Sequence, residues 1–263
     1  MLNLWFQDEL YLRIAQASIA GVFALLVVFL VHWQSIRLEK EIVIAVLRSL
    51  VQITLVGSVL IYVLTAPTWL GVLVLAGMIL SAAFTAARRT REIPGSMRAT
   101  FFAIFLGSGS VIAVMTFLGV IQWEISSLLP VGSMIISGGM NSCALALDRF
   151  KGEIDSHVGH IETGLCLGAS SREVVKPYVR KSFQASLIPR INSMRALGIV
   201  WIPGIMSGML LAGSDPIYAA LYQFVVMAML FVASSLSSLI SILLVRKYVF
   251  SEAEQLILRP DGN

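Results

Sequence analysis

Charge is the first thing this sequence has little of. Asp, Glu, Lys and Arg make up 13% of its 263 residues, about half the share usual in a soluble domain. Hydrophobic residues make up 57%. So much apolar surface excludes a single water-soluble core and leaves lipid as the solvent for much of it. Cysteine and histidine are also scarce, at two and three residues. Cys143 and Cys166 fall in an apolar stretch and in a polar connection, which argues against a structural disulfide, and their spacing is not that of metal ligands. No G-x4-G-K-[S/T] run and no Rossmann glycine pattern is present, so the chain cannot hydrolyse ATP by itself and is expected not to be an enzyme. A basic n-region is missing too. Met1–Leu10 carries Asp8 and Glu9 instead, so the first apolar stretch is expected to stay as an anchor.

What is present is a series of long apolar windows. They lie near Tyr11–Trp33, Ile42–Leu64, Trp69–Ala87, Ala99–Ile121, Ser126–Leu147, Leu197–Ala212 and Pro216–Val245. Each is read as a membrane helix, since about 20 apolar residues cross a hydrocarbon core. The expectation is an all-α, polytopic helix bundle of about seven spans in one domain, residues 1–263. The 19 basic residues then orient it. Arg37 and Lys40 follow the first window, and Arg88, Arg89, Arg91 and Arg98 follow the third. Eight lie from Arg149 to Arg195. Arg246, Lys247 and Arg259 follow the last window, and Arg13 and Arg48 remain near the ends of the first and second windows. The alternate connections near Ala66, Glu124 and Asp215 have none. The positive-inside rule puts the amino terminus outside and the carboxyl terminus in the cytoplasm. The net charge of +4 is thereby a matter of topology, not of nucleic-acid binding.

The connection at residues 148–196 is too long and too patterned for a linker, and is read as a cytoplasmic coupling segment. Ser170 and Glu173 have the spacing of a capping box at a helix start. Val174, Tyr178, Phe183, Leu187, Ile191 and Met194 then recur between Arg172, Lys176, Arg180 and Lys181. This predicts an amphipathic cytoplasmic helix bent at Pro177. It either lies on the anionic leaflet or docks a cytoplasmic partner. Before it, Glu162, Leu165, Leu167, Gly168 and Ala169 form a short helix ending at a glycine, the shape a membrane subunit offers to a cleft on an ATPase.

Pro203, Gly204, Met206, Gly208, Gly213 and the Asp215-Pro216 turn, with Tyr222-Gln223 beyond them, resemble the FetB family of ABC permeases. Arg48, Gln52 and Gly57 match its Arg-x3-Gln-x4-Gly pattern in the second window, and Pro130, Met134 and Met140 match its fifth. The likeness runs from about Glu39 to Lys247. It departs at Gly138, where the family has Asn, at Asn141, one residue past Met140, and at Ile205, where Met is usual. The resemblance implies the permease of an iron-exporting ABC system in a cell membrane, with the bacterial inner membrane the expected place. Similar plant proteins are linked to aluminium tolerance. A homodimer and separate ATPase subunits are implied. ATP and Mg are held by those partners, and this chain binds no cofactor.

On physical grounds, proline and glycine inside a short span free backbone groups that only protein or a water-filled cavity can satisfy, as along a substrate path, although small residues also allow close helix packing. Arg48 and Gln52 share a helix face. Arg48 either snorkels to the interface or faces the bundle interior. Met134, Met140, Met206 and Met209 offer thioethers or simply fill space. His157 and His160 are candidate ligands on the cytoplasmic side or plain loop residues. Asp215 is expected to cap the last helix. Three rivals stand beside the permease reading. One is a secondary carrier or channel, disfavoured because Glu39, Glu41, Glu124, Asp148 and Asp215 all sit near span ends, leaving no carboxylate mid-span for ion coupling. The others are a membrane enzyme, which lacks a catalytic constellation, and a non-transporting scaffold.

Overall fold

The structure, a computed structural model, describes residues 39–88, 93, 95–251 and 254–258, with 15, 16, 18, 19, 21–23 and 33. The apolar window near Tyr11–Trp33 lies largely outside the described residues. The chain divides into two compact units, residues 1–65 and 66–263.

The first unit contains helix α1, Glu39–Leu64. Its few hydroxyls turn back on the helix: Thr54 donates to the Leu50 carbonyl at 2.9 Å and Ser58 to that of Thr54 at 3.0 Å. A polar side chain in an apolar helix hides its donor in this way.

The second unit is a helix bundle. Helix α2 is Thr68–Ala87. Helix α3, Ser96–Ile104, runs through a π-helical turn at Phe105–Gly109 into α4, Ser110–Phe117. Helix α5 is Ile125–Ser156, α6 Val158–Cys166, α7 Ser171–Ala196, α8 Gly204–Leu211 and α9 Pro216–Val245. Asp215 caps α9 as expected, its Oδ1 accepting from the N–H groups of Ile217 at 2.9 Å and Tyr218 at 3.0 Å. Among the described residues five helices are long and apolar enough to cross a membrane: α1, α2, α3–α4, α5 and α9. The protein is a polytopic all-α membrane protein.

Small residues let three of these helices meet. Gly107 on the π turn, Gly139 on α5 and Ser237 on α9 leave no space at their junction. A Cβ on Gly107 would lie 2.6 Å from the Ser237 nitrogen, and one on Gly139 would lie 2.8 Å from the Ser237 hydroxyl. The Ser108 and Ser237 hydroxyls are 3.3 Å apart. The π turn widens the helix by one residue where backbones approach most closely. With no hydrophobic force between helices in lipid, such close packing holds them together. Around it Ile135, Leu147, Phe150, Val226, Met229 and Ala233 are buried.

The window at Leu197–Ala212 is not one continuous helix. Residues 197–203 are non-helical, Pro203 being the N-cap, and α8 has eight residues, about 12 Å of rise against a hydrocarbon core of about 30 Å. Helix is instead continuous through α7, upstream of that window.

Candidate functional site

Two places carry functional geometry: the turn around α6 and the length of α7. At the first, α5 ends at Ser156, the chain turns at His157, and α6 runs to Cys166. Gly168 then takes a φ of +88°, the left-handed conformation that closes a helix at little cost only for glycine. The Ala169 N–H returns to the Gly164 carbonyl at 3.0 Å. Leu167 stands out at 83% exposed, with Glu162 also exposed and Leu165 and Ala169 half-buried. Underneath, Ile161 is buried and Gly164 packs against Val174. The result is a firmly seated turn with one large apolar side chain left outside.

The capping box is present as the sequence predicts. The Ser170 hydroxyl accepts from the Glu173 N–H, and Glu173 Oε2 accepts from the Ser170 N–H at 3.3 Å. Hydrogen bonds from Ser170 hold the Glu173 carboxyl below its ordinary range. This contribution is therefore present above the ordinary carboxylate pKa and is lost as the pH falls through the lowered value. Replacing Ser170 with Ala is expected to lower stability by about 1 kcal/mol, measured as a fall in the melting temperature of the purified protein.

Helix α7 runs antiparallel to α5. Near its start the Tyr178 ring lies 4.8 Å from that of His157. One turn on, Lys181 Nζ is 2.8 Å from a Glu153 carboxylate oxygen. Further along, a Cβ on Gly138 would lie 3.3 Å from Arg190 Nη2. Gly138 sits about 20 Å along α5 from its Ile125 end, near the middle of the apolar run that ends at Leu147. The second half of α7 thus lies level with the apolar centre of α5, where lipid would otherwise be.

The face that α7 turns inward is Val175, Ser182 and Ser186. The apolar residues Val174, Tyr178, Phe183, Leu187 and Met194 are half-buried and Ile191 is exposed. The amphipathic pattern is real, but two of the three residues on its buried face are serines, most of its apolar residues lie half-buried beside them, and Arg172, Lys176, Arg180 and Lys181 are exposed. Asn141, Ser142, Leu145, Ser186, Pro189, Arg190 and Ser193 line a cleft of about 240 Å³ between α5 and α7. Pro189 has no N–H, so the Ala185 carbonyl loses its usual helical donor at the same level.

The broken segment 197–211 is held by Gln223 of α9. This side chain is wholly buried, and its Oε1 accepts from the Met206 N–H at 3.3 Å. It satisfies a backbone donor that the short helix leaves free, the condition for irregular backbone at membrane depth. Replacing Gln223 with Leu is expected to cost about 1–3 kcal/mol by stranding that N–H. A lowered melting temperature together with faster amide exchange at Met206 checks it.

A second cleft of about 560 Å³ lies at the Glu124 end of the bundle, lined by Gln122, Ser126, Pro130, Ile205, Met209, Tyr218 and Tyr222 among others. Of the sequence candidates, Asn141 lies in the cleft between α5 and α7 and Met209 in this one, while Met206 meets Gln223. Met134 and Met140 are half-buried on α5, Pro203 is buried and Gly204 and Gly208 are exposed. Nothing among the described residues lies within 4 Å of a Cβ at Gly204 or Gly208, so neither serves close packing against them. Arg48 and Gln52 are one turn apart on α1, in the other compact unit. His157 Nδ1 is 2.8 Å from the Glu153 carbonyl. His157 and His160 have ring centroids 6.2 Å apart. Among the described residues no three His, Cys, Asp or Glu side chains are grouped to hold a metal ion.

Arg190, Ser142, Ser186 and Ser193 escape a reading that counts basic residues by loop. Their signal was a serine repeat, Ser182, Ser186 and Ser193, on one helical face beside an arginine.

Residues 14–250 match the family described as "Uncharacterised protein family (UPF0014)". The chain is 31% identical over 249 residues to the "Probable iron export permease protein FetB" of Escherichia coli, covering 94% of this chain and 96% of that one. It is 29% identical over 239 residues to "Protein ALUMINUM SENSITIVE 3" of Arabidopsis thaliana, covering 90% and 87%. It is 30% identical over 225 residues to the rice "UPF0014 membrane protein STAR2", covering 85% and 79%. No solved structure matches the chain.

Proposed function

The chain belongs to the UPF0014 family, and from that premise we propose that it is the membrane permease subunit of an ATP-driven exporter of iron or a related metal species. Two copies form the translocation unit, with the path between them, and separate ATPase subunits dock beneath and hold the ATP and Mg. The observation that carries this is mechanical. The turn bearing exposed Leu167 and left-handed Gly168 is joined without a break, through the Ser170 cap, to α7, whose far half lines a polar cleft level with the middle of α5. A push on that turn moves a wall of the cleft. The name of the Escherichia coli relative supplies iron and export as the reading of cargo and direction. The amino terminus lies outside and the carboxyl terminus in the cytoplasm of a bacterial inner membrane. The sixth crossing is composite, made of the second half of α7 and then α8.

The experiment is reconstitution. An ABC ATPase encoded beside the gene is co-expressed and purified with the chain, and the complex is placed in vesicles loaded with iron. ATP-dependent efflux from the complex, and none from the chain alone, is the expected result. Efflux by the chain alone without ATP would make it a secondary carrier and sink the proposal.

A further inference from the structure

We infer that the cleft between α5 and α7 is an anion-binding site within the apolar run of α5, with Arg190 as its cationic anchor. The ligand it takes carries carboxylate or phosphate oxygens, and a metal ion would pass through it as an anionic chelate. The binding site stands on the residues below. Only the step from ligand to cargo rests on the permease reading.

Arg190 is half-buried and level with Gly138. A guanidinium at that depth is costly and is ordinarily paired or placed on a ligand path. Among the described residues no carboxylate pairs with it. The sequence has no Asp or Glu at residues 125–147 on α5, 174–196 on α7 or 216–245 on α9. Among the described residues the ion pairs run from Glu153 to Lys181 and His157, nearer the cytoplasmic end, and Arg190 joins none. Among the described residues, the free donors beside Arg190 in the cleft are the Asn141 amide and the Ser142 hydroxyl. Asn141 is exposed on it and Ser142 is buried in its floor, while Ser186 and Ser193 line it with hydroxyls that donate to the Phe183 and Pro189 carbonyls at 2.7 and 3.0 Å. Beside the guanidinium, Ser234 of α9 is wholly buried and its hydroxyl has no hydrogen-bond partner among the described residues. It lies 3.4 Å from where a Cβ on Gly138 would be, and Arg190 Nη2 lies 3.3 Å from the same point. Leu230 Cδ2 is nearer still, at 2.8 Å, so the missing side chain at Gly138 makes room first for Leu230 and then for the guanidinium.

A planar fork of N–H donors with amide and hydroxyl groups around it matches an oxyanion. It repels a bare cation. The same chemistry could come from a soluble anion or from a phospholipid headgroup: Gly138 lies about 14 Å along α5 from Leu147, and Asn141, Ser142 and Leu145 carry the cleft to within about 3–9 Å of that end. A soluble anion is the source assigned, and the two lipids of the test separate it from a headgroup.

The test uses the full chain in nanodiscs of phosphatidylcholine, and again in nanodiscs rich in phosphatidylglycerol. Inorganic phosphate, citrate and ferric citrate are titrated in by calorimetry. Saturable binding of citrate and ferric citrate in both lipids is expected. Arg190→Gln should weaken it by about tenfold or more, and Arg190→Lys by less. Without ligand, Arg190→Gln should melt at the same temperature as the parent or higher, because an unpaired charge is removed from a poorly solvated place. Equal affinity in Arg190→Gln, or no binding of any of the three anions by the parent, would overturn the site. Binding seen in phosphatidylcholine and abolished by phosphatidylglycerol would give the site to lipid and overturn the assignment. A lower melting temperature in ligand-free Arg190→Gln, with unchanged binding, would make Arg190 structural. These measurements need no ATPase, so their failure leaves the permease proposal standing, and failure of efflux leaves the anion site standing.

Discussion

Replacing Leu167 with Glu and Gly168 with Val is expected to abolish ATP-driven efflux and to cut ATPase co-purification at least tenfold, on the scale of losing a buried anchor at an interface. The yield of folded permease should hardly change. Leu167 is 83% exposed and contributes little to its own subunit. Nothing among the described residues lies within 4 Å of a Cβ at Gly168, so the strain there comes from its φ of +88°. A left-handed non-glycine costs about 1–2 kcal/mol, enough to move the turn and too little to unfold a bundle. The single change Leu167→Glu isolates docking chemistry, and Gly168→Ala isolates the direction of the chain. Undiminished association and efflux in the double variant would remove this turn from the coupling mechanism.

The second large effect concerns the junction of α3–α4, α5 and α9. Both Gly139→Val and Gly107→Val should destabilise the bundle by about 1–3 kcal/mol or more, the usual cost of overpacking, and should show in detergent as early melting. The two sites should then separate on rescue. At Gly139 the obstacles are side-chain atoms, the Ser108 hydroxyl and the Ser237 hydroxyl and Cβ. Trimming those serines to glycine should restore much of the loss in Gly139→Ala. At Gly107 the obstacles include the Ser237 backbone, 2.6 Å from the Cβ position at its nitrogen and 2.8 Å at its Cα. No side-chain truncation can relieve that. Equal rescue at both positions would show that the helices separate freely and that the junction does not set their spacing.

Much of the bundle was legible from apolar runs alone. The windows Trp69–Ala87 and Pro216–Val245 nearly coincide with α2 and α9, and the one at Ile42–Leu64 lies within α1. Local chemistry was legible too, since the Ser170–Glu173 box and the Asp215 cap depend on residues within one turn. What hydropathy could not see was polar helix. Helix α5 continues nine residues past Leu147 to Ser156, and α7 carries Arg190 alongside its apolar middle. The sixth window misled because Pro203 and the turn at residues 197–203 are apolar without being helical. The inward face of α7 was missed for a related reason. A search for a buried apolar stripe presumes water outside, and on this helix the buried face holds two serines, Ser182 and Ser186, beside Val175.

The Gln223–Met206 hydrogen bond has a consequence for how the chain is made. A segment of eight helical residues preceded by an arginine-bearing serine stripe cannot partition into a bilayer by itself, since its free N–H groups and its guanidinium would meet hydrocarbon. Its partners are α5, already synthesised, and Gln223 on α9, still to come. The stretch from Ser182 to Leu211 must therefore wait at the translocon until α9 emerges, and enter the membrane with it as a pair. Truncation of the nascent chain before Gln223 should leave that stretch accessible to a membrane-impermeant thiol label at an introduced cysteine, and extension past Val245 should protect it.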